Sequence, residues 1–414
     1  MWRLRDDPVM TDRSIRTLDA TEIRSAHTLF RASLHAAPLT DERWQRARRT
    51  YQDGRTLGAF ENDTLVGTAR AIDTTLTVPG GTVPMAAVTG VGVRADRTRR
   101  GVLTDLMTAQ LADCAERGVP VAGLHASEAV IYGRYGYGIA AHVRSRRLDR
   151  RRAEVRASAP ADGEVELYDL DAALELLPDV YARLARSRAG MLDRTEHFWP
   201  MWEGHYRTES GLMRLAVHHG SDGPDGYASY RVVTEDVADD VAVMYVEDMA
   251  AATPAAYADL WRALLRVDLI TRIESRWQPV DAPLEALLTD YRAVSTMSVE
   301  DDLWLRLVDV PAALNARGYA GDDAVVFEVS DPILKHNSGR YRLSAAGSEP
   351  TTEPAQLALD VDTLGMLYLG GWRVADLAAV GRIEVTAAGA DDDALGAAHR
   401  LVVTDSSPWC GSFF

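Results

Sequence analysis

Lysine is nearly absent. Lys335 is the only one in 414 residues, so the basic charge rests on arginine. This all but excludes a Schiff-base lysine and a phosphate loop ending in Gly-Lys, since no lysine follows a glycine-rich turn. Cysteine is almost as scarce: Cys114 and Cys410 are too few for a disulfide framework or a structural zinc site. The ten histidines lack metal-ligand spacing. His218-His219 and His197/His205 are the tightest groupings, with no accompanying cysteine, and read as surface or core histidines; no metal is expected. No apolar run is long enough to span a bilayer. The stretch Met1-Trp2-Arg3-Leu4-Arg5-Asp6-Asp7 lacks the apolar centre of a signal peptide, so the expected location is the cytoplasm. Basic residues are outnumbered, giving a net charge of −16. That balance argues against nucleic acid as a partner, because phosphate neutralisation needs a basic face. The acidity either attracts cationic small molecules through the long-range field or only maintains solubility.

What remains is globular composition and length for two or three domains. Residues 14–150 read as an α/β unit: helices at Thr21–Ser33 and Asp41–Tyr51, then strands at Thr56–Phe60, Leu65–Ile72 and Met85–Val93. A helix follows Gly101, and a short strand lies at Val119–His125. Arg144–Gly163 reads as an exit strand plus a linker. A second block repeats the order of elements, with a helix at Ala172–Ala189, strands at Met213–Val217, Gly226–Thr234 and Val241–Asp248, and a helix at Pro254–Leu269. It has no glycine-rich turn at the matching place, so it fits a degenerate duplicate. From about Val299 the pattern is α+β, with strands at Leu303–Val308, Ala324–Val329 and Tyr341–Ala345 and helical pieces at Val361–Tyr368, Ala375–Ala379 and Asp392–Val402. The acidic runs Asp236–Asp240 and Asp391–Asp393 read as solvated loops.

Two segments carry chemistry. In the first, a β-branched strand ending Val91-Gly92-Val93 runs into Thr98-Arg99-Arg100-Gly101-Val102-Leu103-Thr104. Leu103, Leu106, Met107, Leu111, Cys114 and Ala115 recur at helical spacing, which puts Arg99, Arg100 and Gly101 at a helix N-terminus. Free N–H groups and the helix dipole favour a pyrophosphate there. An arginine-rich solvated turn fits the same residues. The G-x-G-x-x-G dinucleotide fingerprint is absent. The second segment is His125-Ala126-Ser127-Glu128-Ala129-Val130-Ile131-Tyr132-Gly133-Arg134-Tyr135-Gly136-Tyr137-Gly138. Glycines at this density permit close backbone approach or positive φ. A tyrosine there packs as core or donates a proton.

Taken together, the strand, R-R-G turn and helix followed by S-E-x-x-I-Y-G-R-Y-G-Y-G resemble the Eis (enhanced intracellular survival) family of GNAT-superfamily acetyltransferases. The likeness continues through Asp301–Arg306, Val310–Tyr319, Leu364–Gly371 and the terminal aromatic residue, and so spans the chain. It implies tandem GNAT folds, the second degenerate and without its own cofactor, followed by a sterol-carrier-protein-like domain. The expected spans are 1–155, 156–295 and 296–414. It implies acetyl-CoA as acetyl donor, held by Val91, Gly92 and Val93, by Arg99, Arg100, Gly101, Val102, Leu103 and Thr104, and near Ser127 and Glu128. It further implies Tyr132 as general acid, the Phe414 carboxylate as general base, an amine-bearing acceptor and a homohexamer. The acceptor would be a small polyamine-like molecule, an aminoglycoside, or a protein lysine.

The chain departs from that pattern at several points. The usual GNAT turn reads Q/R-x-x-G-x-G/A, whereas Thr98 and Leu103 hold the outer positions here. Ala36 and Phe413 stand where aminoglycoside-modifying members carry acids. An α-carboxyl, with an ordinary pKa near ~3.5, is a weak base that needs burial or a water relay. Two aromatic residues at 413–414 suit a docked terminus, for catalysis or for anchoring alone. Non-catalytic CoA- or lipid-binding regulation is the competing class of function.

Overall fold

The computed structural model describes residues 13–207, 212–236, 241–390 and 393–414. Met1–Asp7, with Val237–Asp240 and Asp391–Asp392 of the two acidic runs, lie outside the described residues. In chain order, the strands of the first third are β1 (Arg13–Thr17), β2 (Thr56–Glu61), β3 (Thr64–Val78), β4 (Gly81–Val93), β5 (Val121–Leu124), β6 (Gly138–Ile139) and β7 (His142–Asp149). The middle supplies β8 (Glu164–Asp169), β9 (Leu212–Gly220), β10 (Gly223–Asp236), β11 (Val241–Ala251), β12 (Arg272–Pro279), β13 (Val294–Asp301) and β14 (Trp304–Leu307). The last part adds β15 (Ala324–Ser330), β16 (Gly339–Ser344), β17 (Gly347–Pro350), β18 (Leu357–Asp360) and β19 (Ile383–Val385).

Turn chemistry explains the hairpins. Asn62 and Asp63 both take positive φ and join β2 to β3, as a type I′ turn requires. Pro79-Gly80, with Gly80 at φ 74°, closes β3 onto β4, where Val78 pairs with Gly81.

The first sheet runs β1-β2-β3-β4-β5-β14-β6 and the second β8-β9-β10-β11-β12-β7-β13. They match strand for strand, including one parallel pair at the same place: Met85–Ala87 with Val121–Gly123, and Val243–Val246 with Arg272–Ser275. The sixth strand of each is exchanged. β7, which follows the first sheet's segment, lies in the second sheet, and β14 returns to the first, with Leu305 opposite Gly123. The third sheet, β17-β16-β15-β18-β19, packs with the helices Val310–Ala316, Val361–Leu367, Val374–Ala379 and Ala394–Val402.

One apolar core joins the first and third parts: Ile72, Leu76 and Met85 of the first sheet share a cluster with Leu305, Phe327, Leu364 and Leu401. Glycine makes the docking possible. A Cβ on Gly138 would collide with the carbonyl oxygen of Asp362, and Gly136, at φ 82°, faces Arg306 at a distance that leaves no room for a side chain.

The elements differ from expectation mainly in the middle block. The helix expected to reach Ala189 ends at Leu184 and carries Pro178 inside it, and the helix expected to reach Leu269 ends at Leu265. Arg144–Gly163 begins within a paired strand of the second sheet, and the helix Trp199–Tyr206 starts on a tryptophan-proline pair.

Candidate active site

β4 and β5 part after Ala87 and Gly123, opening a fork between the end of β4 and the loop that follows β5. One side of the fork carries Val91–Val93. A bulge sits there: Thr68 pairs with Gly92 and Arg70 with Thr89, so Gly90, at φ 61°, and Val91 together oppose the single residue Ala69. Gly92 has a packing reason of its own, because a Cβ there would lie 2.7 Å from Ser33 Oγ on the helix Ile23–Ser33.

The turn above the fork is shaped for an anion. A 3-10 turn at Ala95–Arg97 leads to Arg99 at φ 61° and Gly101 at φ 85°, and then to the helix Val102–Glu116. Left-handed residues on both sides of Arg100 gather backbone N–H groups into a concavity at a helix start. Arg13 pins the turn, donating to the Arg100 carbonyl at 3.0 Å and to Asp105 at 2.5 Å. Thr98, Arg99, Arg100, Gly101 and Thr104 are exposed, while Val102 is buried beneath them. The helix buries Leu106, Met107, Leu111 and Cys114, as its spacing predicts.

The other side of the fork carries the tyrosine–glycine block. Tyr132 ends the one-turn helix Ala129–Tyr132 and is buried. Burial, more than any neighbour, raises its phenol above the ordinary value, so it carries its proton at neutral pH. Tyr137 meets it edge-on at 6.2 Å and is wholly buried; Tyr135 is buried under Arg134, 3.3 Å from the Thr104 hydroxyl. Ser127 and Glu128 are exposed at the loop. Arg306 clamps the block from β14, donating to the Tyr135 carbonyl at 2.9 Å and to both oxygens of Asp331.

The C-terminal segment returns from the third part of the chain to this fork and is held residue by residue. Trp409 N donates to Ala189 O at 2.9 Å, and Cys410 N to Asp302 Oδ2 at 3.0 Å. Arg194 donates to the Gly411 carbonyl, and Trp202 Nε1 to Ser412 Oγ at 3.2 Å. The Phe413 ring lies 4.3 Å from Trp202. The Phe414 ring rests on His125 at 4.7 Å and Phe198 at 5.9 Å. His125 is the residue next after β5, so Phe414 meets the loop that leads to Tyr132.

Beside the terminus lies a cavity of about 220 Å³ walled by His125, Glu247, Asp248, Glu300, Asp301, Asp302, Trp277 and Phe413. Its charge is acidic. Asp302 sits 3.4 Å from His125 Nδ1; burial pushes its carboxyl up, only partly offset by His125 and the Cys410 N–H. Glu247 is held below the ordinary value although burial pulls the other way, because His205 Nε2 lies 3.6 Å from it and Arg231 donates to it at 2.7 Å. Phe413 is part of this wall; Ala36, just past the first helix, is half-buried.

Composition left His125, Asp302, Asp248, Glu247 and Arg194 unmarked. The only sequence signals were the Asp301-Asp302 pair and the His125–Glu128 run. Among the described residues, His125, Asp302 and Cys410 form the one group with a metal-capable donor set, their atoms within 4.8 Å of one another. A tetrahedral ion needs ligands about 3.5 Å apart, so this group would have to contract. Burial, then Asp302, pushes the Cys410 thiol far above its ordinary value, which opposes the thiolate that a metal would take.

Residues 14–140 and 190–307 each match an acetyltransferase (GNAT) domain family, and residues 310–411 match the sterol carrier protein domain family. N-acetyltransferase Eis of Mycobacterium tuberculosis is 39% identical over 339 residues, 79% of this chain and 81% of its own. The chain belongs to the Eis family of N-acetyltransferases. An uncharacterized N-acetyltransferase of Streptomyces avermitilis is 36% identical over 95% of both chains. The crystal structure of Eis1 from Mycobacterium abscessus superposes with a TM-score of 0.88 at 38% identity, covering 97% of this chain and all of that one. This Eis-family protein is therefore an N-acetyltransferase built of two GNAT domains and a sterol-carrier-like domain, and GNAT acetyltransferases use acetyl-CoA. Among the described residues, no helix is long and apolar enough to cross a membrane.

Proposed function

We propose that the protein transfers an acetyl group from acetyl-CoA directly to the primary amine of a small polycationic molecule, with Tyr132 as general acid and the Phe414 carboxylate as general base. The observation that carries this reading is the docked C-terminus: Phe414 is seated on His125, the residue after β5, which also walls an acidic, aromatic cavity.

The turn Arg99–Thr104 would take the pyrophosphate through backbone N–H groups and the two arginines, and Val91–Val93 and Ser127–Glu128 would line the rest of the donor. The carboxylates around the cavity attract an ammonium, and Trp277 and Phe413 offer ring faces to its carbon chain. At about 220 Å³ the cavity lies below the ~300–1,000 Å³ of drug-sized sites, so it suits an aminoalkyl arm or one amino-bearing ring better than a whole oligosaccharide. In the reaction the amine nitrogen bonds to the thioester carbonyl carbon, and the C–S bond breaks. The Phe414 carboxylate accepts the proton the amine sheds, directly or through a water, and Tyr132 gives its own to the departing thiolate. We propose a homohexamer as the working assembly, on the family likeness; sedimentation of a monomer at micromolar concentration would remove that part alone.

Release of CoA thiol over a panel of polyamines, aminoglycosides and lysine peptides identifies the acceptor. Appending a C-terminal tag tests the base: it turns the Phe414 carboxylate into a neutral amide. Transfer is expected to vanish while acetyl-CoA still binds, whereas Phe414→Leu, which keeps the carboxylate, costs far less. Parental turnover in the tagged protein would rule out the terminal carboxylate, and Glu128 would be the next residue to test.

A further inference from the structure

The second GNAT domain keeps the fork without the cofactor turn. β11 and β12 pair in parallel through Val246 and Ser275, then part, and the helix Pro254–Leu265 follows β11 as Val102–Glu116 follows β4. Where they part, a cavity of about 540 Å³ opens, within the range of small-molecule sites.

Coenzyme A does not suit it. The first domain spends eight residues, 94–101, between strand and helix, two of them left-handed. The second spends Ala252 and Thr253. Thr253 Oγ1 already accepts from Ala256 N at 3.0 Å, and Pro254 has no N–H to offer. No phosphate cradle can form on so short a link.

The lining that remains has a definite chemistry. Met249, Ala250, Pro279, Ala282 and Trp409 make it apolar, and its charged members are Arg156 and Arg188, with no carboxylate among them. In a chain of net charge −16 this is the reverse of the acceptor cavity on the other side of Trp409. Arg188 is engaged, with Asp281 and the Ser407 carbonyl both at 2.7 Å. Arg156, exposed at the rim, is tied through Nε to the Ala286 carbonyl at 3.1 Å.

We propose that this cleft binds a small amphipathic anion, a medium-chain carboxylate whose alkyl part lies against Met249, Ala282 and Trp409 and whose head meets Arg156. Trp409 also walls the acceptor cavity and stands in the segment that carries Phe414. Occupancy therefore bears on the terminus; this coupling rests on the proposed role of Phe414, and the binding does not.

The test is calorimetry on the full chain saturated with coenzyme A, using octanoate and the neutral octan-1-ol as probes. Octanoate is expected to bind one per chain and at least ten-fold tighter than octanol. Arg156→Gln should remove most of that preference. Ala286→Trp, an exposed position at the cleft, should weaken both probes ten-fold or more while acetyl-CoA affinity stays at the parental value. The proposal is overturned if the parent binds no octanoate, prefers octanol, or binds no better than Ala286→Trp. Loss or survival of acetyl transfer in the tagged protein leaves each of these readings unchanged, so the two proposals fail separately.

Discussion

Arg194 Nη2 donates to the carbonyl oxygen of Gly411 at 2.6 Å, three residues before Phe414. The same guanidinium donates to Asp248 at 2.8 Å and lies 3.6 Å and 3.9 Å from the ring centres of Trp202 and Tyr181. Tyr206 and Tyr227 complete the shell of Asp248, at 3.0 and 2.8 Å. Arg194→Lys keeps the charge, but an ammonium cannot reproduce the planar fork or the stacking. The terminus should loosen, and kcat for acetyl transfer should fall by about 10²-fold, the scale of a misplacement of ~1 Å. Acetyl-CoA affinity by calorimetry should hold. Parental kcat in this variant would show that the Gly411 contact does not position the reacting group.

Tyr132→Phe keeps the ring and removes the proton. Turnover should drop roughly 10²–10⁴-fold with little change in acetyl-CoA affinity. Tyr137→Phe is the control. Its hydroxyl is buried with no protein partner among the described residues, so its removal should leave turnover intact and stabilise the fold by about 1 kcal/mol. Steady-state rates and urea melts of the two variants separate chemistry from packing.

Two glycines five residues apart should respond oppositely to alanine. Gly138→Ala drives a methyl into the Asp362 carbonyl and must push the third domain off the tyrosine block, so both melting temperature and turnover should fall. Gly133 has open space around its Cβ position and helical φ and ψ of −56° and −35°. Gly133→Ala should therefore be neutral or stabilise by roughly 0.4–1 kcal/mol through the unfolded chain. Differential scanning calorimetry reads both.

His27 gives a pH dependence with a defined sign. Burial, then the charges of Arg70 and Arg31, lower its pKa from 6.5 to about 4, and its Nδ1 lies 2.9 Å from the Tyr51 hydroxyl. The unfolded chain thus binds this proton more readily than the folded one. The associated stability is present above pH 6.5 and is lost as pH falls through about 4. His27→Phe should shrink the fall in melting temperature between pH 7 and pH 5. An unchanged fall would show that His27 stays neutral in both states or that other groups govern this range.

The helix Val102–Glu116 was legible because its apolar spacing is local. The tyrosine–glycine block stood out by its composition, but the reason for its glycines was hidden: Gly136 answers to Arg306 and Gly138 to Asp362, both far along the chain. Resemblance supplied Tyr132 and Phe414. Nothing local marked Arg194, and His125 and Asp302 stood out only as members of the His125–Glu128 run and the Asp301-Asp302 pair, since the meaning of each lies in a partner from another segment. The helix Trp199–Tyr206 had a usable signal in Pro200 near its start. The strands Arg272–Pro279 and Val294–Asp301 mix charged and polar residues with few apolar ones, which masks the alternation that reveals a half-buried strand.

The exchange of β7 and β14 has a consequence for the order in which the protein is made. A ribosome releases β1 to β6 long before β14, yet Leu305 must slot beside Gly123 and Ile139 lies against Trp304 in the same ladder. Until residue 307 has left the exit tunnel, the first sheet keeps β5 as a bare edge next to the loop that leads to Tyr132. An exposed edge of that kind is a template for wrong pairing. Acetyltransferase competence therefore arrives late in synthesis, after the first two sheets have closed on each other, and an excised fragment of residues 1–155 should aggregate rather than work as a small enzyme.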